Sequence, residues 1–182
     1  MRVITGTARG RRLMTLEGDD VRPTTDIVKE ALFSIIQFEI EGRKVLDLFG
    51  GSGQLAIEAL SRGADSAVIV DMSKKAVEVI RKNLEATSFT KRAVVINSDA
   101  LSFLATRAEK YDIALLDPPY SAGILDKALE MVSTVMNPGG VIICEAPFKD
   151  ELPERAGSFT LQRKYRYGKT GLFLYRAADE EA

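Results

Sequence analysis

Five short apolar segments recur along the central part of the chain and predict the strands of a buried sheet. They are rich in Val, Ile and Leu, and they hardly alternate between apolar and polar positions. These segments are Val45–Phe49, Ala67–Val70, Ala93–Ile96, Ile113–Leu116 and Val141–Cys144. Because uninterrupted apolar runs of this length are typical of strands covered on both faces, we expect a parallel sheet in the interior.

Helical periodicity fills three of the intervals between these segments. Apolar residues at three- and four-residue spacing mark one face of each expected helix. The three faces are Leu55, Ala56, Ala59 and Leu60; Ala76, Val77, Ile80 and Leu84; and Leu125, Ala128, Leu129, Val132 and Met136. Alternating strands and helices predict a doubly wound α/β sheet.

Both ends of the chain depart from this alternation. Near the C-terminus, Phe159–Leu161 and Leu172–Tyr175 predict an antiparallel hairpin, joined through the basic stretch Lys164–Gly171. Near the N-terminus, Met1–Leu16 predicts short strands and Thr25–Phe38 predicts a helix. We therefore expect an N-terminal extension over residues 1–40, a principal domain over residues 41–178 and an acidic tail over residues 179–182.

Composition narrows the classes of function. The 182 residues include no histidine, which excludes histidine-based triads and histidine metal sites, and the single Cys144 lies in an apolar run. We expect no metal. No apolar run approaches the roughly 20 residues of a membrane helix, and the first residues have no apolar signal-peptide core. We expect a cytoplasmic monomer that does not contact membranes.

Charge is balanced overall but unevenly distributed. The formal net charge is −1, yet residues 1–12 and residues 155–170 contain basic residues and no acid. These are Arg2, Arg9, Arg11 and Arg12 at one end, and Arg155, Arg163, Lys164, Arg166 and Lys169 at the other. A local basic surface for a polyanion is one interpretation, and an ordinary solvated surface is the other.

A glycine-rich turn follows the first apolar segment and opens a helix. It reads Asp47-Leu48-Phe49-Gly50-Gly51-Ser52-Gly53, and glycines at such a turn let the backbone approach a ligand closely. Asp71 ends the second segment, where a carboxylate can accept the ribose hydroxyls of an adenosine. Asp99 follows the third segment, where it could receive the adenine amino group. The turn predicts a binding site for a cofactor that contains a nucleoside, either NAD or S-adenosylmethionine.

Two observations favour S-adenosylmethionine over NAD. Asp47 lies within the strand-end motif, where it can meet the amino group of the methionine part, and a dinucleotide has no such group. The chain also has no histidine and no evident Tyr–Lys pair for the proton transfer that a dehydrogenase needs.

The tetrapeptide Asp117-Pro118-Pro119-Tyr120 follows the fourth apolar segment and should face the same crevice. The prolines remove two N–H donors, so the Asp117 carboxylate and the Pro118 carbonyl remain as acceptors. Two acceptors on an exocyclic amine favour a pyramidal nitrogen with its lone pair directed at a methyl donor. Tyr120 can stack on the base. Methylation at cytosine C5 would need a cysteine nucleophile, and Cys144 is placed inside a strand.

These motifs together resemble the RsmD-type 16S ribosomal RNA guanine-N2 methyltransferases, and the resemblance covers the whole chain. The matching segments are Arg2-Val3-Ile4-x-Gly6, Arg9-Gly10-Arg11, Arg22-Pro23-Thr24-Thr25-Asp26, Val28-Lys29-Glu30-Ala31-Leu32-Phe33, the glycine-rich turn, Glu58-Ala59-Leu60-Ser61-Arg62-Gly63-Ala64, Asp117-Pro118-Pro119-Tyr120 and Tyr167-Gly168-Lys169-Thr170. The resemblance implies a Rossmann-like class I methyltransferase fold, with a seven-stranded, mostly parallel sheet, an antiparallel C-terminal hairpin and a small N-terminal extension. The family usually has Ala where Gly50 stands, a change that we expect to loosen the turn.

We expect three groups of site residues. The catalytic group is Asp117, Pro118 and Tyr120. The cofactor group is Asp47, Phe49, Gly51, Gly53, Asp71, Met72, Asp99 and Ala100. The RNA-binding group is Arg9, Arg11, Arg12, Arg22, Lys164 and Lys169.

The function expected from these sites is methylation of a guanine N2 amine in 16S ribosomal RNA, within an assembled small subunit. A DNA adenine-N6 methyltransferase shares the tetrapeptide, but the chain has no recognisable domain for reading DNA sequence. An NAD-linked oxidoreductase would rest on the glycine-rich turn alone. A catalytically silent RNA-binding module would rest on the basic ends alone.

Overall fold

The computed structural model describes residues 1–17, 25–119 and 123–177. In this part of the chain, eight strands form one sheet, in the order β3-β2-β1-β4-β5-β8-β7-β6. The strands are β1 Lys44–Asp47, β2 Ser66–Asp71, β3 Ala93–Asn97, β4 Tyr111–Leu116, β5 Met136–Pro147, β6 Arg155–Ala156, β7 Phe159–Tyr167 and β8 Thr170–Ala177. The helices are α1 Asp26–Ile35, α2 Gln54–Ser61, α3 Lys74–Thr87, α4 Ala100–Ala105 and α5 Ile124–Ser133, with a 3-10 turn at Thr90–Arg92.

The first five strands are parallel, as the apolar segments predict. The chain builds outward from β1 through β2 to β3 and then returns to place β4 on the other side of β1. Val45 of β1 is therefore paired with Ala67 on one side and with Ile113 on the other. Such a reversal of strand order opens a crevice at the carboxyl ends of the strands, where α/β proteins bind ligands.

The last three strands are antiparallel and extend the sheet beyond the expected seven strands. β8 pairs with β5 on one side and with β7 on the other, and the two-residue β6 adds an eighth strand at the edge. The prediction that Lys164–Gly171 forms the connection between the two strands is wrong. β7 continues to Tyr167, and a two-residue turn, Gly168-Lys169, leads into β8. Gly168 has a φ of 62°, which a glycine adopts without strain at the first position of a tight hairpin turn.

Helices cover both faces of the sheet, so each face has its own apolar core. α1, α2 and α3 contribute residues such as Leu32, Ile57 and Ile80 to one core. α4 and α5 contribute Phe103 and Leu129 to the other. The helix α4 was not predicted, because it is too short to show a helical period in the sequence. None of the helices in the described part of the chain is long and apolar enough to cross a bilayer.

The N-terminal segment, residues 1–17, packs on the outside of α2 and α3 instead of forming the strands expected over Met1–Leu16. Its only β-pairing in the described residues is a single antiparallel bridge between Arg2 and Arg12. Glu58 of α2 accepts hydrogen bonds from the backbone amides of Ile4 and Thr5, at 2.9 and 3.0 Å. These contacts hold the segment against the second half of α2.

A second attachment fixes the far end of this segment. Asn83 of α3 accepts a hydrogen bond from the amide of Met14 at 2.7 Å and donates to the carbonyls of Met14 and Ser52. Because one buried amide binds both the N-terminal segment and the glycine-rich turn, the residues that follow Met14 lie over the crevice.

Candidate functional site

A cavity of about 920 Å³ opens at the carboxyl ends of the five parallel strands. Each of these strands delivers residues to its wall: Phe49 after β1, Met72 after β2, Ser98 after β3, Asp117 after β4 and Pro147 at the end of β5. Thr15, Leu16 and Glu17 of the N-terminal segment complete the lining. The cavity therefore occupies the crevice predicted from the strand order.

The glycine-rich turn is held in place by Asp71. One oxygen of its carboxylate accepts a hydrogen bond from the Gly51 amide, and the other accepts from the Ser73 amide, both at 2.8 Å. Gly51 and Gly53 adopt left-handed φ values of 57° and 80°. A Cβ at Gly51 would have no heavy atom within 4 Å, so this backbone is open to a ligand. The expected cofactor residue Asp71 thus also orders the turn.

Gly50 does not loosen the turn, contrary to the expectation from the sequence. Its amide donates to the Val70 carbonyl at 2.8 Å, and its carbonyl accepts from the Gly53 amide at 2.7 Å. A Cβ at this position would lie 2.5 Å from the Ile69 side chain and 3.1 Å from Ile80. In this chain, isoleucine side chains fill the space that a methyl group would need, and glycine is the residue that fits.

Asp47 lies buried at the end of β1, directly behind the turn. Its Oδ2 accepts a hydrogen bond from the Ala56 amide at 3.2 Å, whereas Oδ1 has no hydrogen-bond partner among the described residues. Burial raises the pKa of this carboxyl group to about 7, the amide hydrogen bond opposes the rise, and the nearby carboxylates of Asp117 and Asp71 add to it. Three carboxylates therefore converge on the start of α2.

Gln54 is a cavity residue that the sequence analysis missed. It is the first residue of α2, it is buried, and its Oε1 has no partner in the described part of the chain. A polar residue directly after the last glycine of the turn was the available signal, since the first turn of that helix faces the ligand. Asp47 and Gln54 leave two buried acceptors without donors, which normally indicates a missing hydrogen-bonding group.

The cavity wall is strongly acidic. Among its described lining residues, the acids are Glu17, Asp71, Asp99, Asp117, Asp126, Glu145, Asp150 and Glu151, and the only cationic side chain is that of Lys75. A field of this sign attracts a cationic ligand and repels a pyrophosphate.

Met72, Asp99 and Ala100 also line this cavity, whereas the expected cofactor residues Asp47 and Gly53 lie behind the turn and are not among its lining residues. Met72 is 73% exposed, and Ala100 is buried at the start of α4. The Asp99 side chain accepts a hydrogen bond from the Ser102 amide at 2.9 Å and so caps α4. That cap fixes the carboxylate at the cavity edge.

The catalytic tetrapeptide is described as far as Pro119. Asp117 and Pro118 are half-buried, Pro119 is exposed, and all three line the cavity, whereas Tyr120 lies outside the described residues. Cys144 is fully buried inside β5, and burial raises the pKa of its thiol. A cysteine nucleophile is thus not placed in this cavity.

The expected RNA-binding residues fall in different environments. Arg9, Arg11 and Arg12 are exposed on the N-terminal segment, and Arg22 lies outside the described residues. Lys169 is exposed in the β7–β8 turn, and its carbonyl accepts from the Phe148 amide next to cavity-lining Pro147.

Lys164 is engaged within the protein. Its ammonium group donates to the Asp150 carbonyl at 3.0 Å and lies 4.4 and 4.8 Å from the ring centres of Phe148 and Phe173. Its role in RNA binding stays a prediction, as do those of the arginines and of Lys169.

The sequence and the fold of the chain are similar to those of known proteins. The family described as conserved hypothetical protein 95 matches residues 1–176. The Bacillus subtilis protein YlbH is 40% identical over 181 residues, covering 97% of this chain and 98% of YlbH. Ribosomal RNA small subunit methyltransferase D of Escherichia coli is 34% identical over 178 residues, covering 97% of this chain and 89% of that protein. The solved structure of yhhF from Escherichia coli has a TM-score of 0.88 at 32% identity, with 99% of both chains covered.

Proposed function

The chain belongs to the family described as conserved hypothetical protein 95, and we propose that it transfers a methyl group from S-adenosylmethionine to the N2 amine of a guanine in small-subunit ribosomal RNA. The family match agrees with the resemblance to the RsmD-type enzymes. The Escherichia coli relative, which covers 97% of this chain, is named as a methyltransferase of small-subunit ribosomal RNA. The observation that carries the proposal is that the glycine-rich turn and Asp117-Pro118 line one cavity.

The residues around the turn fit S-adenosylmethionine better than NAD. When bound, this cofactor supplies an electrophilic methyl group and carries a sulfonium and an ammonium. The acidic wall suits those positive charges, and the unpaired oxygens of Asp47 and Gln54 are acceptors for donor groups of its amino-acid part. Asp71 ends β2 and is proposed to bind the ribose, and Asp99, between β3 and α4, is proposed to bind the adenine.

Asp117 and Pro118 are proposed to act on the target amine. The carboxylate of Asp117 and the carbonyl of Pro118 each accept a hydrogen bond from the amine. These two hydrogen bonds withdraw the nitrogen lone pair from the ring and direct the lone pair at the methyl group. Because these acceptors are fixed by the end of β4, their contribution is electrostatic preorganisation and positioning. The carboxylate also stabilises the positive charge that develops on the nitrogen, and it accepts the proton that the methylated nitrogen then loses.

The charge distribution supports RNA as the substrate. An acidic cavity cannot hold phosphates, whereas the exposed arginines on the N-terminal segment and Lys169 lie outside its wall. We propose that the backbone runs over these basic groups while one base turns into the cavity and stacks on Tyr120. Because base flipping costs less in a loop, a loop guanine in the assembled subunit is the proposed target. The protein is proposed to act as a monomer.

Methylation of small ribosomal subunits from cells lacking the enzyme tests this function. The protein is incubated with labelled S-adenosylmethionine and the subunits, and the RNA is then digested to nucleosides. N2-methylguanosine is the expected product. In a parallel incubation with DNA, N6-methyl-2′-deoxyadenosine would support the alternative enzyme, and NAD binding in a calorimeter would support the oxidoreductase. Absence of any product with intact cofactor binding would support a silent RNA-binding module.

Cofactor affinity should depend on pH through Asp47. Its raised pKa of about 7 means that the free protein holds a proton there at lower pH, whereas pairing with the cofactor's ammonium requires the carboxylate. Binding should therefore release a proton below pH 7, and affinity should fall by up to roughly tenfold per pH unit below that value.

Calorimetry with S-adenosylhomocysteine, in buffers of different ionisation enthalpy, measures both effects. The matched variant Asp47→Asn cannot ionise and should bind weakly without this pH dependence. A wild-type affinity that stays constant from about pH 6 to about pH 8 would remove Asp47 from the binding site.

A further inference from the structure

Two arginines stand side by side in the single β-bridge of the N-terminal segment. Arg2 and Arg12 are directly opposite one another, and the flanking hydrogen bonds run from the Val3 amide to the Arg11 carbonyl and from the Leu13 amide to the Met1 carbonyl. This pattern marks a non-hydrogen-bonded antiparallel pair, in which the facing side chains are closest and leave the same face. Val3 and Leu13 point the other way, into the core.

The two positive charges are not compensated within the described protein. Both residues are exposed, and neither guanidinium has an ion-pair or hydrogen-bond partner among the described residues. Like charges directly opposite each other destabilise a strand pair. Asp26, the one acid among the described residues that line the cavity at this pair, lies 3.9 Å from the buried ammonium of Lys29. The arrangement therefore costs stability in the free protein and favours an anion between the two side chains.

A second cavity of about 430 Å³ lies at this pair. Its lining residues are Met1, Arg2, Arg12, Leu13 and Asp26. Met1 also lines the larger acidic cavity, and the chain reaches that cavity again at Thr15, three residues after Arg12. Arginine guanidinium groups bind phosphate oxygens through paired, charge-assisted hydrogen bonds. The smaller cavity thus offers two phosphate-binding groups beside a larger cavity that repels phosphate.

We propose that Arg2 and Arg12 together hold one phosphate of the RNA backbone, close to the nucleotide whose base enters the larger cavity. The inference rests on the proposed RNA substrate and adds a defined anchor to it. Arg2 was not among the RNA-binding residues expected from the sequence. Met1 lines both cavities. The phosphate therefore binds in the smaller, basic cavity, and the base of a neighbouring nucleotide enters the larger, acidic one.

Binding of the variants Arg2→Gln, Arg12→Gln and the double variant to small-subunit ribosomal RNA tests the shared anchor. Each single variant should lose roughly tenfold in affinity, and the double variant little more, because both arginines hold the same phosphate. The slope of log affinity against log salt should fall by about one unit in the double variant, not two. Arg81→Gln, an exposed arginine on α3, is the matched control and should bind like wild type.

Stability and cofactor binding separate this anchor from a structural role. Removing one of two repelling charges should leave the unfolding temperature unchanged or raise it, and S-adenosylhomocysteine should bind as to wild type. Additive losses with a slope change of two, affinities equal to that of Arg81→Gln, or a lowered unfolding temperature would overturn the proposal. If the wild type neither binds nor methylates ribosomal RNA, the proposed function itself fails, and this inference fails with it.

Discussion

Replacing Asp117 with alanine should reduce the turnover number by about a hundredfold to a thousandfold or more, while S-adenosylhomocysteine still binds. The carboxylate acts on the amine as charge develops there, so its loss appears in kcat and, above the Asp47 pKa of about 7, not in cofactor affinity. Single-turnover methylation of small subunits, together with calorimetry, measures the two quantities separately.

Asp126→Ala is the matched control, because Asp126 also lines the cavity but belongs to α5. It should retain near-normal turnover. The Asp117 variant carries a second readout, since the Asp117 charge helps to raise the pKa of Asp47. Its removal should move the pH dependence of cofactor binding to lower pH. If Asp117→Ala kept near-normal turnover, the tetrapeptide would have only a structural role, as a turn after β4.

Replacing Glu58 with alanine should lower the free energy of unfolding by about 3–5 kcal/mol. Glu58 and Lys29 are both fully buried, with the Lys29 ammonium 4.0 Å from the Glu58 carboxylate, and burial lowers the pKa of Lys29. Glu58 also accepts from Ile4, Thr5 and the Arg62 side chain. The variant leaves the amides of Ile4 and Thr5 without their acceptor and removes the buried counter-charge of Lys29, whose ammonium keeps only its hydrogen bond to the Arg2 carbonyl and the more distant Asp26.

Urea unfolding followed by circular dichroism measures this loss. Glu85→Ala, on the exposed side of α3, is the matched control and should change stability by less than about 0.5 kcal/mol. A Glu58 variant that lost less than about 1 kcal/mol would show that the N-terminal segment is held mainly by its apolar contacts.

The parallel sheet was predictable because its signal is local. Each of β1 to β5 contains an apolar run bounded by turn residues, and the helices between them show their faces in sequence. β5 was predicted too short, since its apolar run begins only at Val141, after Asn137-Pro138-Gly139-Gly140. These residues, and Met136 before them, belong to the strand, where the pairing with β4 shifts register.

Long-range contacts decided what could not be predicted. Alternating charged and aromatic residues in β7 look like a loop until β8 pairs with them. The turn, Asp71 and the Asp117 segment were found because strand ends converge in any sheet of this type. The docking of the N-terminal segment on Glu58 and Asn83, and the fit of Gly50 against Ile69, depend on residues distant in sequence.

The attachment of the N-terminal segment also orders the steps of folding. The hydrogen bonds from Ile4 to Glu58 and from Met14 to Asn83 span 54 and 69 residues. Closing such long loops is rewarded only once the acceptor helices exist, so this segment, although synthesised before α2 and α3, is among the last to reach its place. During translation the segment must wait for α2 and α3 to leave the ribosome, and the wall shared by the two cavities is completed only then.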